Sequence, residues 1–296
     1  MYPAEFEHFS PRTVDEALAL LTRYGDEAKI LAGGQSLLPM MKLRIASPRY
    51  LIDVNRIEAL TGVRRAGDRL VMGALCRHAD VAAAPSVSAH LPIMVDAANL
   101  TADVQVRNRG TVAGSLAHAD PAGDWPAVLM ALDTSVTIAG PDGIRTVPLT
   151  KFIVDAYTTQ LGAAEMVTEV SVVIPPPPCG GAYLKFEKRA GDFAVASVGV
   201  QVALDGERCQ SVAISLGALG ATPIRARAAE ELLQGWHGSP DRIVEAEGLV
   251  REAAQPFEDT RGSVDYKRHL AGVLFRRAFV AAMERARGSQ VSTLRI

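Results

Sequence analysis

Apolar positions near the N-terminus repeat first with helical and then with extended spacing. Val14, Leu18 and Leu21 recur at i, i+4 and i+7 on one face of a helix, and Thr13-Val14-Asp15-Glu16 forms a capping box at its start, with Gly25 to end it. The short apolar run Lys29-Ile30-Leu31-Ala32 stops at Gly33-Gly34, and the helix-compatible Leu37-Leu38-Pro39-Met40-Met41-Lys42-Leu43 follows. The order is strand, glycine turn, helix. Residues 50–54 and 69–73 read as strands, the second preceded by the turn Ala66-Gly67-Asp68. Ile93, Met94, Ala97 and Ala98 share a helix face ahead of a second glycine-containing segment at 107–115. Residues 125–132 predict a helix, and 135–139 and 144–147 flank Pro141-Asp142-Gly143 as a hairpin.

The pattern breaks at Ile174-Pro175-Pro176-Pro177-Pro178-Cys179-Gly180-Gly181, where four prolines preclude a helix and favour an extended connector. A new domain is expected there. Beyond it, residues 182–188, 196–204 and 211–218 read as strands, with Asp205-Gly206 as a turn, and helices are predicted at 224–233 and 264–287. With 296 residues the chain exceeds one ordinary core and suits two or three domains.

Composition narrows the function classes. Hydrophobic residues make up 48% and charged residues 22%, the balance of a globular protein. A formal net charge of −2 provides no long-range attraction for nucleic acid or an anionic membrane. The N-terminus lacks the pattern of a secretory signal, and no stretch reaches about 18 uninterrupted apolar residues, so a cytoplasmic chain without a membrane span is expected. Cys76, Cys179 and Cys209 stand far apart, unlike the close-spaced thiolates of an iron–sulfur cluster or a zinc site. Reduced, structural thiols are expected. The histidines form no HExxH pattern, and His78, His118 and His269 are isolated in sequence, so no metal is expected in this chain.

Candidate chemistry lies in the two glycine segments. Ala32-Gly33-Gly34-Gln35-Ser36 sits where a strand gives way to a helix, and glycines there let backbone N–H groups approach an anion such as a pyrophosphate. It matches neither GxxxxGK[ST] nor GxGxxG, and a glycine pair alone equally fits a tight turn without a ligand. The second segment, Gly110-Thr111-Val112-Ala113-Gly114-Ser115, runs on towards Asp120 and Asp124, whose carboxylates could accept hydrogen bonds from hydroxyl or ring N–H groups. Two such loops could hold one diphosphate between them; two plain surface turns fit the residues as well.

The stretches AGGQSLLPMMKLR at 32–44 and VRNRGTVAGSLAHADP at 106–121 closely resemble the FAD-binding medium subunit of carbon monoxide dehydrogenase-type molybdenum hydroxylases, whose flavin domain recurs in xanthine dehydrogenases. IPPPP near the junction and LKFEKRAGDFAVASVGV at 184–200 extend the resemblance over nearly the whole chain. It implies an α+β fold: a two-part FAD-binding domain of the vanillyl-alcohol oxidase/PCMH type at 1–176, divided at about 57/58, then a smaller α+β C-terminal flavoprotein domain at 177–296. It also implies that Ala32, Gly33, Gly34, Gln35, Ser36 and Leu37, with Gly110, Thr111, Val112, Ala113, Gly114 and Ser115, hold the FAD pyrophosphate. Thr101 and Val167 would lie near the isoalloxazine or adenine, Asp120 and Asp124 would hydrogen-bond the cofactor, and Lys185 would lie close to the flavin ring. Phe193 would sit beside the flavin and gate access to it.

The family's second loop usually reads T-[IV]-G-G, and this chain departs from it at Ala113. A positive φ there would cost about 1 kcal/mol, whereas a negative φ would only add a methyl group near the phosphate.

The resemblance implies an oxidoreductase subunit with noncovalent FAD and no catalytic acid or base acting on the organic substrate. Molybdopterin would belong to a large subunit and two [2Fe–2S] clusters to a small one, in a dimer of heterotrimers. The chain would pass electrons from the clusters to an external acceptor: quinone, NAD or oxygen. The loop with Met40, Met41 and Leu43, and Leu274, Phe275 and Phe279 of the last helix, are candidates either for partner contacts or for the chain's own core. Two other functions remain. A free-standing oxidase of the vanillyl-alcohol oxidase type often has a histidine at the position of Gln35 that bonds covalently to the flavin, which an amide cannot do. A scaffold subunit that has lost FAD is the other.

Overall fold

A computed structural model describes residues 2–289. The chain is α+β, and its strands form three main sheets. The first is parallel, with Tyr50–Asp53 between Glu7–Phe9 and Ala28–Leu31. Helix Val14–Tyr24 covers it, burying Ala17 and Leu21. Thr13 caps that helix by accepting from Glu16 N at 3.1 Å, while the Glu16 carboxylate accepts from Arg12 N at 2.7 Å, one residue earlier than a strict capping box.

The second sheet is antiparallel, in the order Val63–Ala66, Arg69–Gly73, Met166–Val173, Thr134–Gly140 and Gly143–Pro148. Helices Pro92–Leu100, Val112–His118 and Asp124–Met130 accompany it, and Trp125, Met94 and Val136 contribute to one buried cluster shared with the first sheet.

The third sheet, also antiparallel, runs Cys179–Phe186, Ala196–Asp205, Arg208–Gly217 and Ile224–Arg225. Helix Val264–Ala286 lies against it so closely that a Cβ on Gly180 would stand 2.3 Å from Ala282 O and 2.4 Å from Ala286 N. Only glycine fits there. Strand Ala196–Asp205 is buried at every position before Asp205, because the long helix covers one face and helix Pro92–Leu100 approaches the other, with Ile93 Cδ1 3.6 Å from a Cβ built on Gly199.

A buried ion pair joins the last helix to helix Pro92–Leu100. Arg285 donates to both Asp96 oxygens, at 2.5 and 3.0 Å, and to Gly181 O at 2.7 Å, while Tyr183 N donates to Asp96 at 3.2 Å.

Several expectations need correction. Residues 224–233 do not form one helix: Ile224–Arg225 joins the sheet edge beside Ser215 and Leu216, Ala226 is non-helical, and the helix is Arg227–Leu233. The proline connector ends sooner than expected, since Cys179 already begins a strand. Strands Val63–Ala66 and Met166–Val173 and helices His78–Ala83, Pro85–His90 and Pro240–Ala253 were not predicted. Met41, Leu274, Phe275 and Phe279 are buried in the chain's own core, whereas Leu43 is exposed. No helix among the described residues is long and apolar enough to cross a membrane.

Candidate functional site: a cleft between two glycine loops

The first loop leaves strand Ala28–Leu31 and is pinned from below by Asn55, whose Nδ2 donates to Ala32 O at 2.8 Å. Gly34 adopts φ +73°, in the left-handed region that favours glycine. Gly33 serves a different purpose. A Cβ built on it would lie 2.3 Å from Arg109 O and 2.6 Å from Gly110 Cα, so the two loops touch backbone to backbone.

The second loop is anchored by His78 N donating to Gly110 O at 3.1 Å, by Val112 N donating to Cys76 O at 3.1 Å, and by Arg77 donating to Asn108 O at 2.9 Å. Thr111 caps helix Val112–His118 by accepting from Gly114 N at 3.0 Å. Ala113 is therefore helical, and its methyl group adds bulk without backbone strain.

Where the loops meet, a cleft of about 920 Å³ opens. That volume lies near the upper end for small-molecule sites and suits a dinucleotide. Ala32, Gly33, Gly34, Gln35, Ser36, Leu37, Gly110, Thr111, Ala113, Gly114 and Ser115 line it, together with Thr101, Asp120, Asp124, Val167 and Phe193. Val112 and Lys185 do not. Val112 points into the core, fully buried.

Lys185 lies behind the wall, where its Nζ donates to Leu100 O at 2.7 Å and Asp192 O at 3.1 Å and pairs with Asp124 at 3.3 Å and Glu187 at 3.1 Å. It reaches the cleft through Asp124. Burial pushes the Asp124 carboxyl above the usual carboxylate range, opposed by Lys185 and by the Tyr183 hydroxyl, which donates to it at 2.7 Å. Phe193 is 49% exposed at the cleft wall, with the Arg261 guanidinium 6.0 Å from its ring centroid.

Sequence spacing missed other lining residues, including His78, Trp125, His118, Tyr157 and Glu165. His78 stacks on Trp125 with ring centroids 5.6 Å apart, and Nδ1 of His78 and Nε1 of Trp125 are buried without a hydrogen-bond partner among the described residues. Burial, reinforced by Arg107, lowers the His78 imidazole to about 4, so it is neutral at pH 7. Glu165 is held by Arg145 through hydrogen bonds of 2.9 and 2.8 Å. No local signal marks these residues, because distant segments bring them together.

The wall chemistry divides in two. Small residues around the Gly33–Gly110 junction present backbone to a guest, as a pyrophosphate requires, while Leu37, Leu161, Met166, Val167 and Trp125 offer apolar surface to ring systems. These residues fit FAD.

The profile described as "FAD binding domain in molybdopterin dehydrogenase" matches residues 4–177, and "CO dehydrogenase flavoprotein C-terminal domain" matches residues 181–282. The chain is 40% identical over 285 residues to the carbon monoxide dehydrogenase medium chain of Hydrogenophaga pseudoflava, covering 96% of this chain and 99% of that one. It is 38% identical over 273 residues to the nicotine 6-hydroxylase medium subunit of Paenarthrobacter nicotinovorans, covering 92% and 95% respectively. A solved structure of the Hydrogenophaga pseudoflava carbon monoxide dehydrogenase, lacking the Mo-pyranopterin moiety of the molybdenum cofactor, superposes with a TM-score of 0.94 at 42% identity, covering 96% of this chain and 99% of that one. With loops, cleft and both profiles in agreement, the chain belongs to the FAD-binding medium subunits of the carbon monoxide dehydrogenase/xanthine dehydrogenase family of molybdenum hydroxylases, as an oxidoreductase subunit with FAD as its cofactor.

Proposed function

We propose that the chain is the electron-transfer subunit of a cytoplasmic molybdenum hydroxylase, taking electrons from [2Fe–2S] clusters of a small partner and passing them to quinone, NAD or oxygen. Substrate oxidation would occur at molybdopterin on a large partner. The observation that carries this reading is the backbone contact of Gly33 with Gly110 at a dinucleotide-sized cleft. The cysteines support the division of labour: burial pushes the Cys76 thiol up to about 12 and the Cys209 thiol up to about 11, so neither favours the thiolate form of a cluster ligand.

In this reading the residues of both loops other than Val112 hold the pyrophosphate, and Thr101 and Val167 form the wall. Asp120 and Asp124 accept hydrogen bonds from the cofactor, Lys185 positions Asp124, and Phe193 screens the wall. Bound FAD supplies the exchange between single electrons and electron pairs. Gln35 leaves the cofactor noncovalent. The proline run divides the FAD-binding domain at 1–176, itself split near 57/58, from the C-terminal domain at 177–296. The two relatives' names concern carbon monoxide and nicotine, which supports placing substrate choice outside this subunit.

Visible spectra of the purified chain before and after acid precipitation test the reading. Flavin released to the supernatant, reducible by dithionite but not by organic donors, is the expected result. Flavin retained in the pellet and bleached by an organic donor would favour the oxidase; a colourless chain would favour the scaffold.

A further inference from the structure

His118 ends helix Val112–His118 with a side chain 24% exposed at the cleft wall. Its Nε2 lies 4.0 Å from Asp120 Oδ2, and its ring centroid is 5.3 Å from that of Tyr157. The backbone that gathers these groups is strained. Ala119 and Tyr157 both adopt the left-handed region without being glycine, at φ +51° and +55°, and Tyr157 N donates to Ala119 O at 2.9 Å. Backbone strain at two such residues joined by one hydrogen bond persists only where the surroundings hold it.

Three other titratable side chains of the cleft are committed elsewhere. Asp124 is bound by Lys185 and Tyr183, Glu165 by Arg145, and His78 is buried and neutral. The charged and titratable groups around the cluster are Asp120 and Tyr157, which face His118, and Arg261, which acts on Tyr157; burial and then Asp120 raise the Tyr157 hydroxyl, and Arg261 opposes them.

The relay reading creates a need for such a group. Full reduction of a flavin consumes two electrons and two protons, yet a [2Fe–2S] cluster delivers single electrons without protons. Reoxidation by an electron-only acceptor returns both protons. We propose that His118, oriented by Asp120 and Tyr157, is the group that exchanges these protons between solvent and the bound flavin. Imidazole suits the task because one ring nitrogen donates a proton while the other accepts one. The proposal rests on the relay reading and extends it.

The test uses the full chain loaded with FAD, reduced photochemically and mixed with ferricyanide, an acceptor of electrons but not protons. Flavin absorbance and a pH-indicator dye are followed together in weak buffer. In His118→Ala and His118→Gln, proton release and reoxidation should slow on the order of 100-fold, and added imidazole should restore the Ala variant. Wild-type rates in both variants would overturn the proposal. So would loss of flavin from both, which would make His118 a cofactor-retention residue. Absence of reducible flavin in the wild-type chain would defeat the relay reading itself, and the proposal with it.

Discussion

Gly33 and Gly34 are neighbours with different duties, and substitution separates them. A Cβ on Gly33 meets the backbone of Arg109 and Gly110, whereas on Gly34 it meets the flexible ends of Leu38 and Leu31 at 2.9 and 3.0 Å. Gly34→Val therefore leaves a folded chain, strained by about 1 to 2 kcal/mol at its positive φ, that no longer retains FAD. Gly114→Val, whose Cβ would stand 2.7 Å from Thr111 Oγ1, has the same expected outcome. Full flavin occupancy in both variants would remove the loops from the cofactor site. Ala113→Gly tests the departure from the family pattern: since Ala113 is helical, FAD affinity should change little while stability falls by about 0.5 to 1 kcal/mol. The two glycine loops could be read from sequence because they are local motifs. His78 could not, since its stacking on Trp125 and its contact with Gly110 come from tertiary structure. Its pH signature can be measured. An unfolded imidazole with the ordinary value of 6.5 takes up a proton that the fold resists down to about 4, so His78 contributes fully above pH 6.5 and its contribution is lost as pH falls through 4. That contribution is on the order of 3 kcal/mol. The stability difference between His78→Phe and wild type, from denaturant unfolding at pH 7 and pH 4, should shift in favour of the variant at the lower pH; a constant difference would contradict the buried neutral imidazole.

Among the elements, helix Val112–His118 shows how a cap organises a ligand loop. Thr111→Ala removes the acceptor of Gly114 N and should cost about 1 kcal/mol with weaker FAD retention, while Thr111→Ser should preserve both; equal flavin content in all three chains would separate the cap from the site. Elements with clean periodicity, such as helix Val14–Tyr24 and the hairpin of Thr134–Gly140 with Gly143–Pro148, were legible. Strand Met166–Val173 was not, because a register shift between Val167 and Glu169 breaks its alternation. Helix Pro240–Ala253 was hidden for another reason: its buried face includes Glu247, neutralised by Arg251 and Arg276, so the apolar stripe is thin.

At the scale of the whole molecule, the two hydrophobic clusters are tied by polar contacts that hydrophobic periodicity does not reveal. Arg285→Ala would leave Asp96 buried and unpaired, a loss of about 3 to 5 kcal/mol seen as a lower unfolding midpoint, and a double-mutant cycle with Asp96→Ala should show strong coupling. Additive effects would mean that the pair does not join the clusters. Coexpression of this chain with its genomic neighbours, followed by size-exclusion chromatography with flavin, iron and molybdenum analysis, tests the proposed assembly directly. One species containing all three, at the size of a dimer of heterotrimers, is expected; a monomeric flavoprotein eluting free of iron and molybdenum, with folded neighbours present, would contradict the electron-transfer role within a complex.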